Sequence, residues 1–192
     1  MCDQHFEDDL EKYLRPNLTR RQFGIAAVSM GMAMLSQAAD ALDVTESDVN
    51  VKTPDGTADC YFVHPANGAH AGVLVWPDIL GLRPAFRQMG KRLASSGYSV
   101  LVVNPFYRSK KAPVVPAGAS FADEATRNAV IPLARALNAT TNVTDAKAFV
   151  AFLDGQTSVS KTRKMGTTGY CMGGPIVMRT AAAIPERVGA GA

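Results

Sequence analysis

Gly169-Tyr170-Cys171-Met172-Gly173-Gly174 lies between two stretches of different habit. Lys164 to Tyr170 reads as a strand, and Pro175 to Ala183 reads as a helix with proline in its first turn. The six residues therefore form a strand-to-helix corner with the pattern G-x-C-x-G. Glycine suits both flanks of such a corner, because a Cβ there would collide across the tight turn. A side chain at the tip is presented on strained backbone, with the positive end of the following helix beside it. For Cys171 that placement favours thiolate over thiol, and the N–H of Met172 becomes a donor for an oxyanion. The plainer alternative is a buried structural cysteine in a glycine-rich turn.

Working outward, strand and helix alternate. Val49 to Thr53 and Cys60 to Val63 flank the turn Pro54-Asp55-Gly56 and read as a hairpin. Gly72 to Trp76 and Tyr98 to Val103 are continuous apolar runs, as strands covered on both faces would be. Between them, Pro84 opens a helix with Phe86, Met89 and Leu93 on one side, ended by Gly97. Tyr107 to Gly118 is loop. A short helix over Phe121 to Leu137 is expected to break near Pro132, and another is expected to start at Thr144 and Asp145, carrying Phe149, Phe152 and Leu153. The pattern predicts an α/β protein with a mostly parallel sheet and helices on both faces.

Composition agrees. The 192 residues are 47% hydrophobic and 19% charged, which excludes a disordered chain. Three cysteines make no disulfide framework and no Cys/His cluster has zinc spacing. No apolar run reaches the roughly 18 residues of a membrane-spanning helix. A net charge of +3 without a basic block, and 7% aromatic residues, speak against nucleic acid as the partner.

The loop after the third strand, Pro77-Asp78-Ile79-Leu80-Gly81-Leu82, is where a second oxyanion donor belongs in an elbow of this type, and the N–H of Ile79 is the candidate. With this loop the chain resembles the dienelactone hydrolase family of the α/β-hydrolase fold. The resemblance is carried by Trp76 to Leu82, Arg87, Arg92-Leu93-Ala94, Gly97-Tyr98, Asn104-Pro105-Phe106-Tyr107-Arg108 and Gly169 to Gly174, and covers roughly residues 49–192. It implies hydrolysis of an enol-lactone or related small ester through a cysteinyl acyl-enzyme, with no metal and no organic cofactor. It implies that Asp78 lies near Cys171 and tunes its protonation, where the family usually carries the longer Glu. It also implies that Arg127 holds a substrate carboxylate, so an anionic substrate is expected. The alternatives are a loop-capping role for Asp78 and an exposed position for Arg127. Ile131 stands where family members carry Tyr, so substrate preference is expected to differ.

In this fold an Asp and then a His follow the nucleophile. The 21 residues after Cys171 contain neither, and Glu186 is their only acid. His5, His64 and His70 all precede the elbow, and His64 and His70 read as loop residues rather than bases. Val188-Gly189-Ala190-Gly191-Ala192 reads as the start of a further strand, so the expectation is a chain representing the N-terminal portion of a longer hydrolase. The other readings are an α/β-hydrolase-like binder without catalysis, and a thiol-redox role for Cys171, which would need Cys60 within disulfide reach.

The first 41 residues read as an address. Arg20-Arg21-Gln22-Phe23 precedes the small, apolar run Ile25 to Leu35, and Ala39-Asp40-Ala41 is a small-x-small cleavage site. The arrangement resembles a twin-arginine signal. It implies the twin-arginine export machinery as a partner and a periplasmic destination, with a cytoplasmic protein as the alternative. Without residues 1–41, which hold four basic and six acidic side chains, the remainder carries +5. That charge mildly suits an anionic small molecule.

Overall fold

The structure is a computed structural model that describes residues 41–192. All of the export-signal reading except Ala41 lies outside the described residues. In chain order the elements are β1 (Val44–Thr53), β2 (Gly56–Pro65), β3 (Ala71–Trp76), α1 (Pro84–Ser95), β4 (Tyr98–Val103), α2 (Glu124–Ala136), α3 (Ala139–Gly155), β5 (Met165–Gly169), α4 (Gly174–Ala183) and β6 (Val188–Gly191). A short 3₁₀ turn, Cys171–Gly173, joins β5 to α4.

The strands form one sheet in the order β1-β2-β4-β3-β5-β6. The β1–β2 hairpin is antiparallel and closes with Thr53 opposite Gly56. β2 is antiparallel to β4, while β4, β3, β5 and β6 run parallel. The expected mostly parallel sheet is therefore present, with the hairpin as its antiparallel margin. The terminal Val188–Gly191 is a strand, paired beside β5.

Alternation along the strands sorts side chains to two faces. Cys60, Phe62, Leu74, Trp76, Leu101 and Val103 meet Phe149 and Leu153 of α3 and Ile176 and Val177 of α4 on one face. Tyr61, Val63, Val73, Val75, Val100 and Val102 meet Phe86 and Ala94 of α1 on the other. Covered on both sides, β3 and β4 have no polar face to alternate with, which is why they read as unbroken apolar runs. Each fully buried aliphatic or aromatic side chain contributes about 1.5–3 kcal/mol of transfer free energy.

Two helices differ from the sequence expectation. α2 is not broken at Pro132; it runs through it. Pro132 lies on the exposed side of α2, so the carbonyl deprived of its partner faces water. α3 starts at Ala139, not at Thr144. Its N-cap is Asn138, whose side chain accepts from the N–H of Thr141 at 3.0 Å while Thr141 Oγ1 accepts from the N–H of Asn138 at 3.1 Å.

Asp145 consequently lies inside α3 and is 2% exposed. Arg108, from the loop after β4, donates to both of its carboxylate oxygens at 2.7 Å. Tyr107 donates its hydroxyl to Asp145 Oδ1 at 2.8 Å and stands 2.7 Å from Thr53 Oγ1. Arg108 also reaches Asp55 in the hairpin turn. This network joins the hairpin, the loop after β4 and α3, and burial pushes the Tyr107 phenol well above its ordinary range.

Candidate active site

β5 ends at Gly169, opposite Trp76 at the end of β3, and the Tyr170 N–H donates to the Trp76 carbonyl at 3.2 Å. The chain then reverses within the 3₁₀ turn, closed by the Gly173 N–H on the Tyr170 carbonyl at 2.8 Å. Cys171 has φ +52°, and among the described residues no other non-glycine residue has positive φ. A left-handed conformation costs a residue with a Cβ roughly 1–2 kcal/mol, so the surrounding packing must impose it. The glycines show how. A Cβ on Gly169 would come within 2.5 Å of the Gly173 carbonyl oxygen, and one on Gly173 within 2.4 Å of the Trp76 carbonyl oxygen. The thiol-bearing residue itself is exposed. α4 begins beside it with no side-chain cap and no acidic residue in its first turn, so its positive end is not neutralised locally.

The second element is the loop leaving β3. The Gly81 N–H donates to the Asp78 carbonyl at 2.9 Å and the Leu80 N–H to Asp78 Oδ1 at 2.9 Å, an Asx turn inside a β-turn. Gly81 takes φ +73°. Among the described residues, neither the Ile79 N–H nor the Met172 N–H donates a hydrogen bond. The side chains of Ile79 and Met172 pack on one apolar cluster of Phe106, Val114, Val115 and Val130. The two residues whose N–H groups are the candidate oxyanion donors thus border the same apolar cluster.

Asp78 is placed on the same loop, and both of its oxygens are taken by Arg83, at 2.6 Å from Nη1 and 2.8 Å from Nη2. Sequence reasoning missed Arg83; the available signal was its position just before Pro84 at the start of α1, close enough to fold back on the loop. The Arg83 guanidinium lies 4.9 Å over the Phe86 ring, whose centroid is 5.5 Å from that of Tyr170. Arg127 sits half-buried on α2 and donates to the carbonyls of Phe121 (3.2 Å) and Ala122. It secures the turn that enters its own helix.

The histidines lie elsewhere. His64 is at the end of β2 and His70 just before β3, both at the amino edge of the parallel strands, whereas the elbow is at their carboxyl edge. A six-residue strand rises about 20 Å, so neither ring reaches Cys171. His70 is held by the carbonyls of Gly97 (3.1 Å) and Asn67 (2.9 Å). Glu186 precedes β6 and so belongs to the amino edge as well. Among the described residues no group of three His, Cys, Asp or Glu side chains could hold a metal ion, and no helix is long and apolar enough to cross a membrane.

Cys60 is three strand positions from β5, about 14 Å at normal strand spacing, so it is not a disulfide partner for Cys171. Burial pushes its thiol up to about 12. The folded protein keeps that thiol protonated where the unfolded chain ionises it, so this contribution to stability is lost as pH rises above 9 toward 12. Cys60 is accordingly expected to resist iodoacetamide at pH 8 until denaturant is added, while Cys171 reacts. Peptide mass mapping checks this, and rapid labelling of Cys60 in the native protein would contradict the burial argument.

Known proteins give a consistent picture. A family model described as the dienelactone hydrolase family matches residues 58–192. A carboxymethylenebutenolidase of Rhodococcus opacus is 27% identical over 139 residues, covering 71% of this chain and 49% of that protein. A candidate dienelactone hydrolase structure from Klebsiella pneumoniae superposes with a TM-score of 0.65 at 18% identity, over 78% of this chain and 58% of that one. A dienelactone hydrolase structure from Anabaena variabilis gives 0.55 at 20% identity, over 77% and 62%. At such identities the solved structures show a shared fold. The chain spans about half the length of the Rhodococcus protein.

Proposed function

This chain belongs to the dienelactone hydrolase family, and on that premise we propose that it carries the nucleophile and oxyanion site of a carboxylic ester hydrolase acting on enol-lactones or related small esters. The observation that carries the proposal is Cys171 itself, exposed at φ +52° between two glycines that have no room for a side chain. The Cys171 thiolate attacks the substrate carbonyl carbon, and the carbonyl π pair moves onto oxygen. The N–H groups of Met172 and Ile79 hold that oxyanion. Its collapse breaks the acyl C–O bond, opens the lactone and expels the enolate, which takes up a proton. Water then hydrolyses the S-acyl intermediate to a carboxylate and restores the thiol.

The proposal keeps Asp78 beside the nucleophile as the acidic group of the site and Arg127 as a contact for a substrate carboxylate. For the latter, Arg127 exchanges two neutral carbonyl partners for a charged one, a stronger hydrogen bond. Deacylation in this fold uses an Asp and a His in the order nucleophile, acid, histidine. We also propose that Arg20-Arg21 and the apolar run after them direct export to the periplasm.

The test is Cys171→Ala in the full-length protein. Enol-lactone hydrolysis is expected to fall by about 10⁴-fold or more, with the melting curve unchanged, and the acyl adduct seen on Cys171 by mass spectrometry disappears. Turnover that survives the substitution would remove the nucleophile from the proposal. Binding of the lactone by the parent protein without an adduct or turnover would instead favour a non-catalytic binder.

A further inference from the structure

We propose that Arg83 is a positioning residue of the oxyanion site, acting through Asp78 on the loop that carries the Ile79 N–H; this rests on the reading of Cys171 as the acylated nucleophile. Three observations meet in it. Arg83 grips both oxygens of Asp78 at 2.6 and 2.8 Å and also donates to the Gly81 carbonyl at 3.3 Å. Asp78 in turn accepts the N–H groups of Leu80 and Gly81, so both hydrogen bonds internal to residues 78–81 end on the residue Arg83 holds. Inside that turn the Ile79 N–H is left without a partner among the described residues. A turn tied at Asp78, Leu80 and Gly81 cannot rotate the Ile79 peptide to satisfy itself, and a donor kept unbonded in advance costs no reorganisation when an oxyanion forms.

The second contact of Arg83 fixes the clamp against the other half of the site. Its guanidinium lies over Phe86, and Phe86 packs on Tyr170, the neighbour of Cys171. The side chains of Arg83 and Asp78 are 26% and 24% exposed, so the bidentate pair is partly desolvated and better defined than a surface pair. With both carboxylate oxygens held by Arg83, Asp78 is fixed in one orientation on the loop that carries the Ile79 N–H.

Two reagents separate these roles. Acetylation of Cys171 by p-nitrophenyl acetate forms a C–S bond through an oxyanion and expels p-nitrophenolate. Alkylation by iodoacetamide forms a C–S bond with loss of iodide and no oxyanion. Both consume the same thiolate. In the full chain, Arg83→Ala is expected to slow acetylation at Cys171 by about 10- to 100-fold while changing alkylation by less than about twofold. Arg83→Lys keeps the charge without the fork and is expected to restore only part of the acetylation rate. Asp78→Asn is expected to behave as Arg83→Ala does.

Equal slowing with both reagents would mean that the pair tunes or shields the sulfur and would overturn the inference. So would unchanged acetylation in Arg83→Ala, or in the more conservative Arg83→Lys if the alanine variant does not fold. Acetylation of the parent chain no faster than that of Cys171→Ala would instead remove the nucleophile reading on which the inference stands.

Discussion

Gly173→Ala is expected to melt about 10 °C or more below the parent protein, or to be recovered unfolded. The added Cβ would stand 2.4 Å from the Trp76 carbonyl oxygen and 3.0 Å from that of Pro77. Those are backbone atoms at the end of a central strand, so no rotamer change relieves the clash. β3 and the elbow must part, and the Tyr170 N–H bond to Trp76 is lost with them. Overpacking of this kind against backbone belongs with the largest single-residue effects, roughly 4 kcal/mol, which for a domain of this size is about 10 °C. Gly174→Ala is the control. Nothing lies within 4 Å of its Cβ position, and its φ of −55° suits alanine, so it is expected to melt with the parent or slightly above. Thermal denaturation of the pair decides the matter, and equal melting temperatures would show that the elbow is looser than described.

The second large effect is at Asp145. Asp145→Ala leaves the Arg108 guanidinium, 23% exposed, without its main partner and removes the acceptor of the Tyr107 hydroxyl. Breaking one side of a buried pair costs about 3–5 kcal/mol, because the surviving charge loses its compensation while remaining desolvated. Asp55 binds the same arginine but is 45% exposed, and Asp55→Ala is expected to cost less than about 1 kcal/mol. Urea denaturation of both variants gives the contrast. A loss below about 1 kcal/mol for Asp145→Ala would mean that water reaches the pair. The buried apolar environment gives this network its weight, and the three segments it ties are not otherwise adjacent in sequence.

How far the residues disclosed this arrangement depends on the range of the interactions involved. The strands were legible because burial on both faces leaves a continuous apolar run in β3 and β4 and because the hairpin turn Pro54-Asp55-Gly56 is local chemistry. The elbow was legible because a glycine-flanked corner between a strand and a helix is a local pattern: Gly169 answers to Gly173 and Val177 a few residues on, although Gly173 answers to the Trp76 and Pro77 carbonyls at the end of β3. What could not be read is what depends on contacts between distant segments. Asp145 resembled a helix start because acids favour first turns; it sits inside α3 because Arg108, 37 positions away, supplies the partner that lets a carboxylate be buried. Asn138 gives no helix-start signal in the sequence because the residues after it carry no apolar stripe until Ala146 and Phe149. Pro132 looked like a stop because its exposure to solvent, which makes the lost bond cheap, is a tertiary fact. At the site, Cys171, Ile79 and Met172 followed from motif position, whereas the engagement of Asp78 by Arg83 required the loop to be seen folded.

The left-handed backbone at Cys171 also limits which chemistries this corner could ever adopt by mutation. Cysteine and serine carry a single γ atom on Cβ and fit at φ +52° with modest strain. Threonine carries the same hydroxyl as serine, but its second γ substituent makes positive φ a severe outlier. A change to a β-branched alcohol would thus offer a competent functional group on a main chain that rejects it. The repertoire of nucleophiles open to descendants of this sequence is set by a torsion angle before reactivity is consulted.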